Sequence, residues 1–276
     1  MTETPTLDSG DVDDTAEEPE EESSMTFWEH LGELRSRVFK TLLFFVLGCA
    51  VGWYFRESVL LWLTTPFITA WKASGVAGEA ALHFPAPASL FLSYVKLSML
   101  TGAVLSAPVI FYQGWSFIAP GLYAHEKRLT IPFVIASTGL FGAGAYFGWR
   151  IAFPIAFQYL LSLSGEVAGG FKVEPTVMIG DYIEFVSRML LAFGAIFELP
   201  VIIFFLTLAG VVDHHKLLAF SRYFIVAAFA LSAVITPPDI LSQLLMAGPL
   251  CLLYFFSIGI AWLIGIRKKR AQASSD

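Results

Sequence analysis

Carboxylates near and within long apolar runs are the residues in this chain most suited to chemistry. Glu33 lies in an amphipathic stretch just before the first apolar run, and Glu126 lies in a short polar loop between the second and third runs. If both segments face the same side of a membrane, the two carboxylates form a cation site. A guanidinium suits such a site because its planar fork meets a carboxylate with two parallel hydrogen bonds. The alternative is that Glu126 pairs only with Arg128 or Lys127.

Glu198 is the second candidate, because it falls about midway along an apolar run. A carboxylate at that membrane depth costs about 3 kcal/mol or more, so it must face a cavity, a partner or a proton. Pro200 frees a backbone carbonyl nearby and bends the helix. The alternative is a polar clamp between packed helices. Gln243 and Asp239, at the start of the last apolar run, are candidates for the same role as Glu198.

The composition shows that lipid must surround the elements that position these carboxylates. Of 276 residues, 56% are hydrophobic and 14% are charged, whereas a soluble domain carries about 25% charged residues. The apolar runs are too long for the alternating strands of a membrane barrel, so we expect an all-α polytopic membrane protein. We predict six transmembrane helices, at about 38–55, 89–118, 129–149, 181–209, 217–235 and 240–266.

The chain divides into three predicted parts. Residues 1–24 hold ten acids and no base, which is typical of a disordered acidic tail. Residues 25–266 form the six-span membrane domain, and residues 267–276 form a basic cytoplasmic tail. Between the first two spans, residues 57–88 are predicted to be a mixed loop with one short helix on the surface. Residues 150–180 are predicted to be an apolar stretch followed by a polar loop.

The basic residues predict the orientation of the chain in the membrane. With the N-terminus inside, eleven of the 17 lysines and arginines flank the inner ends of the spans. This excess predicts that both termini are cytoplasmic, in agreement with an even number of spans. Lys96 and Arg188 lie near the outer ends of their spans, where we expect their long side chains to extend toward the lipid headgroups.

Several classes of function lack their signatures. The chain has no metalloprotease, nucleophile-elbow or phosphate-loop motif, so we predict no enzyme activity. Cys49 and Cys251 lie in apolar runs far apart in sequence, which argues against a disulfide framework or a metal site. We predict no cofactor and no nucleic-acid partner. A proton-coupled secondary transporter that uses Glu198 is the alternative function, although the internal repeat common in such proteins is not found.

Six short motifs in a fixed order provide a family resemblance. They are FWEHLGELRSR at 27–37, SAP at 106–108, QGWSFIAPGLY at 113–123, HEKR at 125–128, FELP at 197–200 and TPPD at 236–239. Together they resemble the TatC family, the polytopic core of the twin-arginine protein translocase, over about residues 25–266. Lys127 stands where an arginine is common in the family, and Ser89 stands where an acid is often found.

The resemblance implies a receptor for signal peptides that carry two adjacent arginines. Glu33 and Glu126 match the acids that engage those arginines in the family. Arg35, Phe117 and Arg128 match the surrounding motif positions. The resemblance also implies a multi-pass protein of the bacterial inner membrane that moves folded proteins across it with the proton-motive force.

The resemblance further implies a fold and a set of partners. Family members are glove-shaped, with a concave face on which Glu198 would lie, and Pro66 matches a proline of the first outer loop. The implied partners are twin-arginine signal peptides, single-span subunits similar to TatA and TatB, the lipid bilayer and further copies of the chain within a receptor complex.

Overall fold

The computed structural model describes residues 27–76, 78–118, 130–167 and 171–273. The acidic tail and the loop that contains Glu126 lie outside these ranges. The helices, in chain order, are α1 (Phe27–Tyr54), α2 (Arg56–Ala73), α3 (Pro87–Ile118), α4 (Thr130–Phe147), α5 (Phe153–Ser162), α6 (Ile179–Phe197), α7 (Leu199–Leu208), α8 (His214–Ile235) and α9 (Ile240–Ala273). A π-helical turn, Gly148–Ala152, joins α4 to α5. The antiparallel strands β1 (Gly165–Val167) and β2 (Phe171–Val173) lie between α5 and α6.

The prediction of an all-α protein with six spans is confirmed. Five helical segments are long and apolar enough to cross a membrane: Pro87–Ile118, Thr130–Ser162, Ile179–Leu208, His214–Ile235 and Ile240–Ile266. Helices α1 and α2 pass the same test together as a pair bent by 81°, and they supply the sixth span. Helix α9 continues to Ala273, through most of the predicted basic tail.

The prediction for residues 57–88 was wrong, because this segment contains a longer and more buried helix. Helix α2 has 18 residues, and Leu63 and Phe67 on it are 1% and 3% exposed. The Tyr182 hydroxyl of α6 donates to the Leu63 carbonyl at 2.8 Å, and the Phe67 ring packs against the Phe157 ring of α5. Helix α2 is therefore part of the main core and not a surface helix.

Pro66 lies inside α2 and changes its hydrogen bonding locally. A proline has no backbone N–H, so the carbonyl one turn earlier, that of Trp62, loses its helical partner. The Trp149 indole Nε1 donates to this carbonyl at 3.2 Å, and the two indole rings stack at 4.5 Å. Pro66 thus leaves an acceptor that joins α2 to the turn between α4 and α5.

The third span is longer than predicted. The sequence placed its inner and outer ends at about 129 and 149, but the helical segment Thr130–Ser162 continues through the π-helical turn. Pro154 lies at the start of α5, where its missing N–H costs little because that position is at the beginning of a helix. The apolar stretch after Trp149 is therefore a continuation of the span.

Glycines allow the closest contacts between helices. A Cβ atom on Gly48 of α1 would lie 2.9 Å from the Cα atom of Gly102 on α3. A Cβ atom on Gly144 of α4 would lie 2.8 Å from the Phe197 ring and would also overlap the Phe193 carbonyl of α6. Small residues at such crossings let helix backbones approach in a membrane. These contacts fix α1 on α3 and α4 on α6.

Asp213 caps α8 and makes its stability depend on pH. Its carboxylate accepts hydrogen bonds from the backbone N–H of Lys216 (3.0 Å) and His215 (2.6 Å), and the bond from Lys216 is the main reason that the pKa of Asp213 lies below its usual range. The contribution of the cap is complete above the unfolded pKa of about 4 and is lost as pH falls through the lower folded value.

We expect Asp213→Ala to lower the thermal midpoint of the purified protein at pH 7, because two helix N–H groups lose their acceptor. Asp213→Asn is the matched control, since an asparagine caps a helix without titrating. The fall in midpoint between about pH 4 and pH 2 should be smaller for Asp213→Asn than for the native chain. Equal pH dependence in the two proteins would contradict this role.

Candidate functional site

Glu33 is held in place at one end of the helix bundle. We call this the near end, and it is formed by residues 31–38 of α1 and 113–118 of α3. The Arg37 guanidinium lies one turn later and binds the Glu33 Oε1 atom through Nη2 (2.5 Å) and Nε (3.0 Å). The two side chains are 24% and 19% exposed for Glu33 and Arg37 respectively, so water screens the pair less than it would a surface pair. The spacing of four residues, visible in the sequence, predicts this pair.

Arg37 also ties the start of the membrane domain to the end of α3. Its Nη1 atom donates to the Gln113 side-chain oxygen at 3.2 Å, and its Nη2 atom donates to the Ser116 carbonyl at 3.1 Å. Arg37 was not predicted to belong to the site. Its partners Gln113 and Ser116 lie 76 and 79 positions away in the sequence, so they give no local signal. Through Arg37, the Glu33 carboxylate is fixed beside the last turn of α3.

The other predicted residues of this site differ in how they are placed. Arg35 is exposed near Glu33 on α1, and Phe117 is half-buried on the last turn of α3. Glu126 and Arg128 lie outside the described residues, so the predicted pairing of Glu33 with Glu126 stays a prediction. A visiting guanidinium would meet a Glu33 carboxylate that already has a cationic partner, and it would have to share that carboxylate with Arg37.

Glu198 lies at a break between α6 and α7 and is buried, with 7% of its surface exposed. The Ser137 hydroxyl and the Phe141 backbone of α4 face its carboxyl group. Its Oε1 atom is buried and has no hydrogen-bond partner among the described residues. One part of the carboxyl is therefore a clamp to α4, while Oε1 retains the capacity to accept a hydrogen bond.

Trp115 links the end of α3 to the surroundings of Glu198. Its indole Nε1 donates to the Ser137 hydroxyl at 2.9 Å, and its ring stacks on Phe133 of α4 at 4.9 Å. Trp115 is adjacent to Ser116, whose carbonyl accepts from Arg37. The last turn of α3 thus contacts both the Glu33 site and the group that faces Glu198, a connection that the sequence analysis missed.

The remaining predicted residues bind locally. The Gln243 amide Nε2 donates to the Phe229 carbonyl of α8 at 3.0 Å, and Asp239 accepts from the Ser242 N–H at 2.7 Å, which caps α9. Their described hydrogen bonds thus lead to α8 and α9 and not to Glu198. Pro200 is buried at the start of α7, directly after the break. The first N–H groups of a helix have no acceptor within it, so a proline costs little at this position.

A family model described as Sec-independent protein translocase protein (TatC) matches residues 29–249, which include all of these sites. The chain belongs to the TatC family. The family resemblance of the six motifs is therefore confirmed. The family consists of protein translocase components and is not an enzyme family. This TatC family member is therefore a membrane protein of a protein translocase.

Two curated relatives and a solved structure support the assignment. The TatC protein of Desulforapulum autotrophicum is 39% identical over 261 residues, with 93% of each chain covered. The TatC protein of Aquifex aeolicus is 38% identical, covering 90% of this chain and 99% of its own length. A crystal structure of a twin-arginine translocase receptor, TatC, has a TM-score of 0.73 at 38% identity and covers 85% of this chain. None of these relatives supports the alternative of a proton-coupled transporter.

Proposed function

We propose that this TatC family member is the receptor for twin-arginine signal peptides and the core of the export complex that moves folded proteins. The observation that carries the proposal is the fixed position of Glu33, whose carboxylate is anchored through Arg37 to the last turn of α3. Glu126 follows that turn by only eight residues, counted from Ile118. This short separation in sequence supports the proposal that both acids lie at the same end of the bundle.

The binding step follows from the chemistry of the site. The two arginines of a signal peptide approach the near end, where Glu33 and Glu126 accept hydrogen bonds from their guanidinium groups. Charge-assisted bonds of this kind contribute about 1.5–3 kcal/mol each. Arg35, Phe117 and Arg128 line the same surface in this proposal. The apolar part of the peptide then inserts along the concave face toward Glu198, whose Oε1 atom is available for a partner or a proton.

The orientation and the assembly are part of the same proposal. The near end faces the cytoplasm, so both termini are cytoplasmic, as the excess of basic residues on that side predicts. The protein lies in the bacterial inner membrane, assembles with further copies of itself and with TatA-like and TatB-like single-span subunits, and uses the proton-motive force. A photo-crosslinker at position 198 should capture a single-span subunit in membranes if Glu198 meets a partner helix.

Substitution of Glu126 tests the proposed site directly. We expect Glu126→Ala to weaken crosslinking of a twin-arginine peptide by about tenfold or more, because one carboxylate acceptor is lost. Glu126→Arg should abolish crosslinking, because it adds a like charge beside the visiting guanidinium groups. The measurement is photo-crosslinking of a labelled peptide to the complete protein in membranes.

A peptide with two lysines is the matched control, since it keeps the charge but not the fork geometry of the guanidinium group. It should crosslink more weakly than the arginine peptide to the native protein and lose less on Glu126→Ala, because only the charge attraction is then removed. Added salt should reduce crosslinking of both peptides because the site is near water. Unchanged crosslinking in both Glu126 variants would overturn the proposed role of this residue.

A further inference from the structure

Three charged side chains form a cluster at the far end of the bundle, the end that contains Tyr54 of α1 and the start of α6. The Lys96 ammonium of α3 binds one oxygen of Glu184 at 2.7 Å, and Arg188 binds the other oxygen of the same carboxylate. Two cations share one anion, so the cluster carries a net charge of +1. The Lys96 and Arg188 side chains are 50% and 61% exposed, so each presents its charge outward.

A groove of about 570 Å³ lies beside this cluster, between α1, α3 and α6. Apart from the charged residues and Ser187, its lining is apolar: Phe45, Met99, Leu100, Ala103 and Leu191. The Ser187 Oγ atom is buried at the groove and has no hydrogen-bond partner within the described part of the chain. The groove therefore has one charged region and one apolar region, which is the chemistry of an amphiphile.

The depth of the cluster in the membrane identifies the kind of amphiphile. Trp115 lies at the near end of the bundle, and Lys96 lies nineteen residues before it on α3, or about 28 Å along the helix. The hydrocarbon core is about 30 Å thick, so Lys96 is close to the opposite edge of the core. Arg188 lies ten residues before the mid-span Glu198, or about 15 Å, which is half of the core. The backbones of Lys96 and Arg188 are thus near the edge of the hydrocarbon core, from which their long side chains reach the lipid phosphates. Ala103, seven residues deeper on α3 than Lys96, lies at the level of the acyl chains.

We propose that this groove binds one anionic phospholipid of the far leaflet. The phosphate contacts Lys96 and Arg188, the Ser187 hydroxyl donates to the headgroup, and an acyl chain lies along Phe45 and Leu191. An anionic lipid fits better than a zwitterionic one because the cluster has one uncompensated positive charge. Among the described residues that line the groove, Glu184 is the only carboxylate that could receive a headgroup ammonium. The lipid would join α1, α3 and α6 without belonging to the peptide site at the near end.

Native mass spectrometry of the complete purified protein tests the proposal, with phosphatidylglycerol as the probe. Each cation near a lipid surface is worth about 1 kcal/mol, so Lys96→Gln and Arg188→Gln should each reduce retention of phosphatidylglycerol about fivefold, and the double variant about 25-fold. Phosphatidylcholine and a diacylglycerol without phosphate should be retained less than phosphatidylglycerol by the native protein. Soluble glycerol phosphate should not compete, because it lacks the acyl chains that fill the apolar region.

Glu184→Gln provides a test of opposite sign. It removes the only carboxylate of the cluster and raises the net charge to +2, so phosphatidylglycerol retention should increase about fivefold. A purely structural ion pair would instead weaken retention in all three variants, and this arm remains informative if a cation variant fails to fold. Lys72→Gln is the matched control, because Lys72 is an exposed lysine on α2 that does not line the groove.

Three results would overturn the proposal. Equal retention of phosphatidylglycerol by the native protein and the double variant would show that the cations do not hold the lipid. Equal retention of the diacylglycerol would show that the groove is only an apolar surface. Capture of a partner helix by a photo-crosslinker at Ala103, in place of lipid, would show that the groove is a protein interface.

Discussion

Replacing Glu33 with arginine will reduce binding of a twin-arginine signal peptide by about 100-fold or more. The substitution removes a carboxylate that can accept two charge-assisted hydrogen bonds, each worth about 1.5–3 kcal/mol, and a loss of about 3 kcal/mol or more corresponds to this factor. It also places a second guanidinium beside Arg37 and so weakens the link from α1 to Gln113 and Ser116. Binding of a labelled peptide to the purified protein measures the effect.

Two variants separate the loss of binding from a loss of folding. Glu33→Gln keeps the size of the side chain and should reduce peptide binding by about tenfold, with a smaller change in thermal midpoint. Glu57→Arg is the matched reversal at the far end, where the Glu57 side chain is 78% exposed beside Arg56, and it should leave peptide binding unchanged. Native affinity in Glu33→Arg would remove the physical basis of the receptor proposal.

Replacing Gly144 with alanine will destabilise the protein by about 2–3 kcal/mol, because the new methyl group has no space at the contact between α4 and α6. The atoms that it meets include the Phe193 carbonyl, which is backbone and cannot rotate away. Separating the two helices would also disturb Ser137 and its contacts with Trp115 and Glu198. We expect the thermal midpoint to fall by about 5–10 °C.

Gly142→Ala is the control on the same helix, two positions away. A Cβ atom on Gly142 meets nothing within 4 Å among the described residues. This variant should therefore keep the native thermal midpoint or raise it slightly, since alanine is the better helix former by about 1 kcal/mol. Similar midpoints for the two variants would show that the contact of α4 with α6 tolerates the extra atom.

The number and order of the spans were predictable because each long span is a continuous apolar run. The errors occur where a proline or a charge interrupts such a run. Pro66 and the tryptophans of residues 57–88 indicated a loop, but buried packing against Tyr182 and Phe157 stabilises α2 as a helix. Residues 150–180 were predicted to lie outside the third span, but Pro154 lies at the beginning of α5, where a proline is compatible with a continuing helical segment.

The candidate sites were predictable as single residues and as one local pair, but not as contacts between helices. The cost of burying a charge in a membrane marked Glu198, and four-residue spacing marked the pair of Glu33 and Arg37. The bonds from Arg37 to α3 and from Trp115 to Ser137 join residues far apart in sequence, so only the packing of the helices reveals them. The glycines of α4 also could not be distinguished from the sequence. Gly142 and Gly144 lie in similar apolar surroundings along the chain, but only Gly144 is in close contact with α6.

Helix α8 is the span for which bilayer thickness matters most. Only 11% of its apolar window is buried inside the chain, so most of its surface is open to lipid or to a partner helix. Its 22 residues are about 33 Å long, barely more than the hydrocarbon core. A thicker bilayer leaves this helix no spare length, so hydrophobic mismatch will thin the adjacent lipid or change the tilt of α8 before it affects the longer α3 and α9. The lipid chain length of the membrane will therefore change the tilt of α8 relative to α9.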